Sequence, residues 1–310
     1  MLTALAVLPA GMAAAADDRT VVLSVGSSGG GGASGQFLEC EDGSRIEFVL
    51  FEDGILGSDP ELIRGCQNGA LSMYMGVTSG AAEVVPEAAL LDIPYLADSL
   101  EEYQAICDGT IVDWLQPYFH AQNLHLLTLG VVSFRGVFSS EPLKTPEDLA
   151  GLRLRIMENH YHEIYWNDLG AKTFTINFDQ LPYALRQNRI NGAELPFDSI
   201  RMLDEKNLFP YFTATDHLPA LRTQILNLDT YNSLTEAQKK CLLEHYRTIT
   251  STGQLSAESE GENTTEVLVP DESMKAYLKN GQAAVIEQLK LELGEEIVEE
   301  FLEQVGQQKG

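Results

Sequence analysis

At 310 residues, with 44% hydrophobic and 21% charged side chains, the chain is long enough for two lobes of ordinary domain size and is globular rather than disordered in composition. Its formal net charge of -26 argues against nucleic acid or an anionic membrane as partner, since both would be repelled. A receptor for a small anion would therefore need a local cationic pocket held against the protein's own field, and the candidate arginines are few.

The first sixteen residues, from Met1 to Ala16 with an Ala-x-Ala site before Asp17, read as a secretory signal, too short for a membrane span. No later run is long and apolar enough to cross a bilayer. A strand over Thr20 to Val25 enters the glycine-rich positions 26 to 35, where Gly30, Gly32 and Gly35 satisfy G-x-G-x-x-G with Glu52 and Asp53 downstream. The dinucleotide reading fails on length, because only Gln36 to Glu41 is free to be helical, too little for a crossover between parallel strands. Strand Arg45 to Phe51, helix Asp59 to Asn68 and strand Leu71 to Val77 follow. The apolar spacing of Tyr103, Ile106, Ile111, Trp114 and Leu115 predicts one helix over Leu100 to Ala121. Strands Leu124 to Val132 and Ser133 to Phe138 come next, and Thr145-Pro146-Glu147-Asp148 reads as an N-cap with proline at the first helical position.

The segment Gly151 to Ile200 has the densest pattern. Leu152 to Ile156 alternates, with Arg153 and Arg155 on one face. Helix His160 to Leu169 is closed by Gly170, strand Thr173 to Phe178 follows, then helix Asp179 to Arg189 with Asn188 as a left-handed stop, then a strand from Ile190. This is a β-α-β-α-β half of a parallel sheet, whose ligands gather at the carboxyl ends of strands, where Arg155 stands. His160-Tyr161-His162-Glu163 is not metal spacing, since positions two apart on a helix face different directions, and it reads as solvated helix. Beyond a strand Thr223 to Leu228, a helix from Glu236 to about Ser256 carries the apolar stripe Leu242, Leu243, Tyr246 and Ile249, with Gly253 and Gly261 as bends. Met274 to Leu278 and Ala283 to Val305 are terminal helices. Cys40, Cys66, Cys107 and Cys241 show no metal spacing; Cys66 and Cys107 read as buried apolar residues, and export would permit a disulfide whose pairing the sequence leaves open. No GxSxG, HExxH or Cys-His constellation points to an enzyme, and nothing calls for a metal or cofactor.

Residues Asp148 to Arg155, Asp168-Leu169-Gly170-Ala171, Phe178, Tyr183-Ala184-Leu185 and Asn191 to Pro196 stand in an order and spacing that resembles the DctP-type solute receptors of tripartite ATP-independent periplasmic (TRAP) transporters. The run from Gly54 through Pro86-Glu87 to Pro94 is similar to the same family. The chain departs from it where glycine-rich sequence replaces a long first helix. The resemblance implies an α/β, type II-like periplasmic binding fold, two lobes joined by crossing strands and a long hinge helix. The expected division is 17–132 with 221–260 in lobe I and 133–220 with 261–310 in lobe II. The resemblance further implies a periplasmic, monomeric receptor that closes around a small organic carboxylate, such as a C4-dicarboxylate, and delivers it to the TRAP membrane subunits. A sensor that docks on a receptor kinase, and thirdly a carboxylate-processing enzyme, are the alternatives. By the same resemblance Arg155 grips the carboxylate through its planar fork, Arg135 supports it, and Phe178 packs on the ligand. Glu194 and Leu195 occupy a family Glu-Asn pair, the leucine making the pocket more apolar, and Tyr183, Trp166 and Glu87 are further lining candidates.

Overall fold

The computed structural model describes residues 19–28, 37–197, 199, 209–252 and 265–308. The proposed signal, the glycine motif and the bends at Gly253 and Gly261 lie outside the described residues. In chain order, β1 (Thr20–Gly26), β2 (Phe37–Glu39) and β3 (Arg45–Phe51) precede α1 (Asp59–Gln67) and β4 (Met73–Val77). Two 3-10 stretches, Thr78–Glu83 and Pro86–Asp92, lead to α2 (Leu100–Asp108), α3 (Ile111–Ala121) and the long strand β5 (Leu124–Ser139). A 3-10 turn at Pro146–Leu149 opens the run β6 (Arg153–Ile156), α4 (His160–Asp168), β7 (Lys172–Thr175), α5 (Leu181–Arg186) and β8 (Gly192–Pro196), with a further 3-10 turn at Phe178–Gln180. Then come β9 (Tyr211–Thr213), β10 (Pro219–Asn227), α6 (Leu228–Ser233), α7 (Glu236–Thr252), β11 (Glu266–Leu268), α8 (Glu272–Asn280), α9 (Gln282–Leu293) and α10 (Glu295–Gln308).

The chain forms two compact units, the first from residues 1–76, 115–128 and 223–249, the second from 77–114, 129–222 and 250–310. The main difference from the expected division is 77–114, which joins the second unit. The 3-10 stretch at Pro86–Asp92 packs on α4 and α9, and α2 packs on α10, all of which belong there.

In the first unit the strands run β2-β3-β1-β4-β10, with β1 parallel to both β3 and β4. Alternation sends Leu23, Val25, Ile46 and Phe48 into the core and leaves Val22 and Val49 exposed. Leu242 and Tyr246, four apart on α7, lie on one helix face and close over this core, Tyr246 meeting Phe48 edge-on at 6.4 Å. The first turn of α1 is held by Ser58, whose backbone N–H donates to Glu61 Oε2 at 2.8 Å.

The second unit contains the parallel trio β7-β6-β8, extended by β5 antiparallel to β8. The β-α-β-α-β reading of 151–200 describes this trio, with Gly170 at φ +88° and Asn188 at φ +54° in the left-handed positions that end α4 and follow α5. Phe138, Ile176, Leu181, Ala193, Leu195 and Phe212 are among the residues of one apolar cluster here. Two expected single helices are each two. Gly109 caps α2 before α3 begins, and Gly294 at φ +95° separates α9 from α10. Trp114 of α3 meets α10 through Nε1, which donates to Glu300 Oε1 at 2.8 Å, and through Phe301 at 5.6 Å.

Candidate functional site

Arg135 stands on β5 opposite Pro196 of β8, and Glu194 two residues earlier on β8 faces Val137. Both side chains are buried, Glu194 completely. The Arg135 fork grips the carboxylate at both ends, Nε donating to Oε1 and Nη2 to Oε2 at 2.7 Å. Each was expected to meet a ligand; in the structure they pair with one another. Burial by itself would raise the Glu194 carboxyl, but Arg135 beside it and the imidazoles of His162 and His217 hold it well below the usual carboxylate range.

Those histidines escaped the sequence reading. His162 is 2% exposed, so the first turn of α4 presents it inward, not to solvent as expected. Its Nδ1 lies 3.6 Å from Glu194 Oε2 and its Nε2 3.6 Å from Asp92 Oδ1. Burial lowers its pKa, and the two carboxylates outweigh that and raise it. His217 is fully buried, with Nε2 3.2 Å from Glu194 Oε1 and Nδ1 2.8 Å from the Thr215 hydroxyl. Burial lowers its pKa, Glu194 opposes this, and His162 and Arg135 side with burial, so the net shift is downward. Asn159 caps α4 through Oδ1, which accepts from the backbone of Tyr161 and His162, while its Nδ2 donates to Asp92 Oδ2 at 2.8 Å. One residue thus starts the helix, aims His162 and holds Asp92. An acid inside the apolar run Leu90-Leu91-Asp92-Ile93 was the available signal, since a buried carboxylate needs a partner.

Arg155 sits on the central strand β6, flanked in register by Phe174 and Ala193. It is 4% exposed, and Nε donates to the Ile176 carbonyl at 2.7 Å. Among the described residues this is its one hydrogen bond, and none of their carboxylates lies within ion-pair distance. Burial, then repulsion from Arg135, lowers its pKa to about 10 against the opposing pull of Glu194. Ile176, Leu195 and, partly buried, Phe178 belong to the apolar cluster beside it. Trp166 is fully buried, edge-on to His217 at 5.0 Å between ring centres. Tyr183 is exposed on α5, and Glu87 is half-buried in the 3-10 stretch before Asp92, so neither joins the buried cluster. Arg153 points away, donating to Asn188 Oδ1 at 2.8 Å. Among the described residues, no group of three or more His, Cys, Asp or Glu side chains is arranged to hold a metal ion. No described helix is long and apolar enough to cross a membrane.

The chain is 26% identical over 211 residues to a solute-binding protein of Verminephrobacter eiseniae, covering 68% of this chain and 63% of the relative. It is 29% identical over 178 residues to the C4-dicarboxylate-binding protein DctB of Bacillus subtilis, covering 57% and 51%. The alignments thus span less than two thirds of these relatives' own length. Among solved structures, the TRAP periplasmic solute binding protein of Desulfovibrio desulfuricans with bound sn-glycerol-3-phosphate superposes with TM-score 0.81 at 19% identity, over 94% of this chain and 98% of that one. The sugar acid binding protein DctPAm of Advenella mimigardefordensis, in complex with galactonate, gives 0.79 at 21% identity over 94% and 100%. Both share the two-lobe α/β fold of this chain. Residues 36–298 match the family described as bacterial extracellular solute-binding protein, family 7, and the chain belongs to that DctP family of receptors.

Proposed function

We propose that this chain is an extracytoplasmic receptor that takes a small organic carboxylate on Arg155 and hands it to the membrane subunits of a TRAP transporter. The observation that carries this is a charge imbalance. In the buried cluster Arg135 and His162, whose pKa the carboxylates raise, stand against Glu194 and Asp92, whereas Arg155 is buried with no carboxylate of its own among the described residues. A buried cation is costly unless an anion meets it, and a guanidinium suits a carboxylate because its planar fork accepts two oxygens at once. Arg135 is paired with Glu194, and in this reading its part is to set the field around Arg155. Of the ligands named for the related proteins, galactonate is a carboxylate, which supports this class, and sn-glycerol-3-phosphate is a phosphate ester that shares only its anionic charge. Phe178 supplies an apolar flank, and Leu195 supports it from within the same cluster.

A thermal-shift screen over dicarboxylates, sugar acids, keto acids and aromatic acids identifies the ligand, since a compound that binds only the folded state raises the melting temperature. With that ligand, calorimetry on Arg155→Ala is expected to show a loss of about 3 to 5 kcal/mol, more than a hundredfold in Kd, with the fold retained. Arg155→Lys is expected to bind weakly too, because an ammonium has no fork. Near-native affinity in the alanine variant would overturn the assignment.

A further inference from the structure

Away from this site, the first unit brings together two cysteines that the chain keeps far apart. Cys40 follows β2 and opens the turn into β3, closed by backbone hydrogen bonds from Cys40 N–H to the Ser44 carbonyl and from Gly43 N–H to the Cys40 carbonyl, both 2.9 Å. Cys241 lies on α7. Their sequence neighbours clamp the turn to the helix, since Lys240 Nζ donates to both carboxylate oxygens of Glu41 at 3.0 Å. Cys40 is buried in the core of this unit and Cys241 packs against that core. Both cysteines line a surface cavity of about 490 Å³, together with Glu39, Lys240, Glu244 and His245. The other two cysteines have no such neighbour. Cys66 and Cys107 are buried in different units, and neither lines this cavity.

We propose that Cys40 and Cys241 are a disulfide-forming pair, oxidised by a small or protein disulfide donor that reaches them through this cavity. The chemistry balances as thiol-disulfide exchange. The thiolate of one cysteine attacks a donor sulfur, the donor releases one thiolate, and the second cysteine then displaces the other, so the protein loses two hydrogens and the donor gains two. An exported receptor works where disulfides form and persist. The surroundings also decide which kind of disulfide this is. Burial first, then Cys40 and the acids Glu244 and Asp42, push the Cys241 thiol up to about 12, so the reduced state gains nothing from a stable thiolate. Strongly oxidising pairs owe their reactivity to a stabilised thiolate, so this pair, once closed, resists reduction and acts as a staple. It would join the β2–β3 turn to α7 across a long loop of chain, the case in which restricting the unfolded state stabilises most.

The test uses the full chain, reduced and then equilibrated with oxidised glutathione. Intact mass is expected to fall by two hydrogens, non-reducing peptide mapping to join the Cys40 and Cys241 peptides, and the thermal midpoint to shift upward relative to the reduced protein. Cys241→Ser is expected to abolish the mass change and the shift together. Four thiols still titratable after oxidation and denaturation, a linkage involving Cys66 or Cys107, or a mixed disulfide with glutathione at Cys241 that never closes would each overturn the proposal. Mapping the wild type keeps the test decisive even if the serine variant folds poorly, and ligand affinity is not part of the readout, so it stands apart from the Arg155 test.

Discussion

At the level of single residues, Glu194 is the side chain on which the most interactions converge, because Arg135, His162 and His217 all approach its carboxylate. Glu194→Gln keeps the shape and removes the charge, leaving Arg135 buried without an anion. Such a change is expected to cost about 3 to 5 kcal/mol in denaturant unfolding at neutral pH, and an unchanged midpoint would contradict the central role of the pair. The pH dependence has two limbs. The depressed carboxyl of Glu194 contributes stability that is present above the unfolded value, about 4.3, and is lost as pH falls through its folded value. His217, also depressed, acts with the same sign from about 6.5 downward. His162 is raised, so its contribution is full below about 6.5 and fades as pH climbs through its folded value. In Glu194→Gln the acid limb is expected to flatten.

At the level of elements, two glycines near the C-terminus separate backbone strain from helix propensity. Gly294, between α9 and α10, sits at φ +95° with nothing near its absent Cβ, whereas Gly306 within α10 has equally open space and no positive φ. Gly294→Ala is expected to destabilise by about 1 to 3 kcal/mol through strain alone, and Gly306→Ala to stabilise by about 0.5 to 1 kcal/mol; urea unfolding of the two variants reads the difference, and equal signs would refute it. Gly294 and, earlier in the chain, Gly109 show what the sequence conceals. Periodicity continued across Gly109 and Gly294, so each helix pair read as one helix. Where periodicity met a strong terminator the reading held: α1 begins after Ser58, α4 ends before Gly170, and β3 runs from Arg45 to Phe51 as expected. Arg155 stood out because an arginine in an otherwise apolar alternating strand needs a reason, and the structure buries it. His162 was not, since two histidines at i and i+2 carry no signal of which one turns inward; Asn159 and Asp92 settle that through contacts distant in sequence. β2 and the 3-10 stretches are too short for any period to register.

At the level of the whole molecule, a formal net charge of -26 implies self-repulsion that is strongest when the chain is compact. Raising the salt from about 0.01 M to about 0.1 M shortens the screening length from about 30 Å to about 10 Å, so the thermal midpoint at pH 7 is expected to rise over that interval; a fall would mean that attractive surface pairs such as Lys279–Asp98 outweigh the net charge. The route of the chain has a further consequence. The first unit lacks its final segment until residue 249 has been made, and the second needs everything to the C-terminal helices. Chains are synthesised from the N-terminus, and a domain assembled from one contiguous stretch can fold as soon as it emerges. Neither unit here is such a stretch. A nascent chain of this design is therefore expected to complete neither unit until synthesis is nearly done.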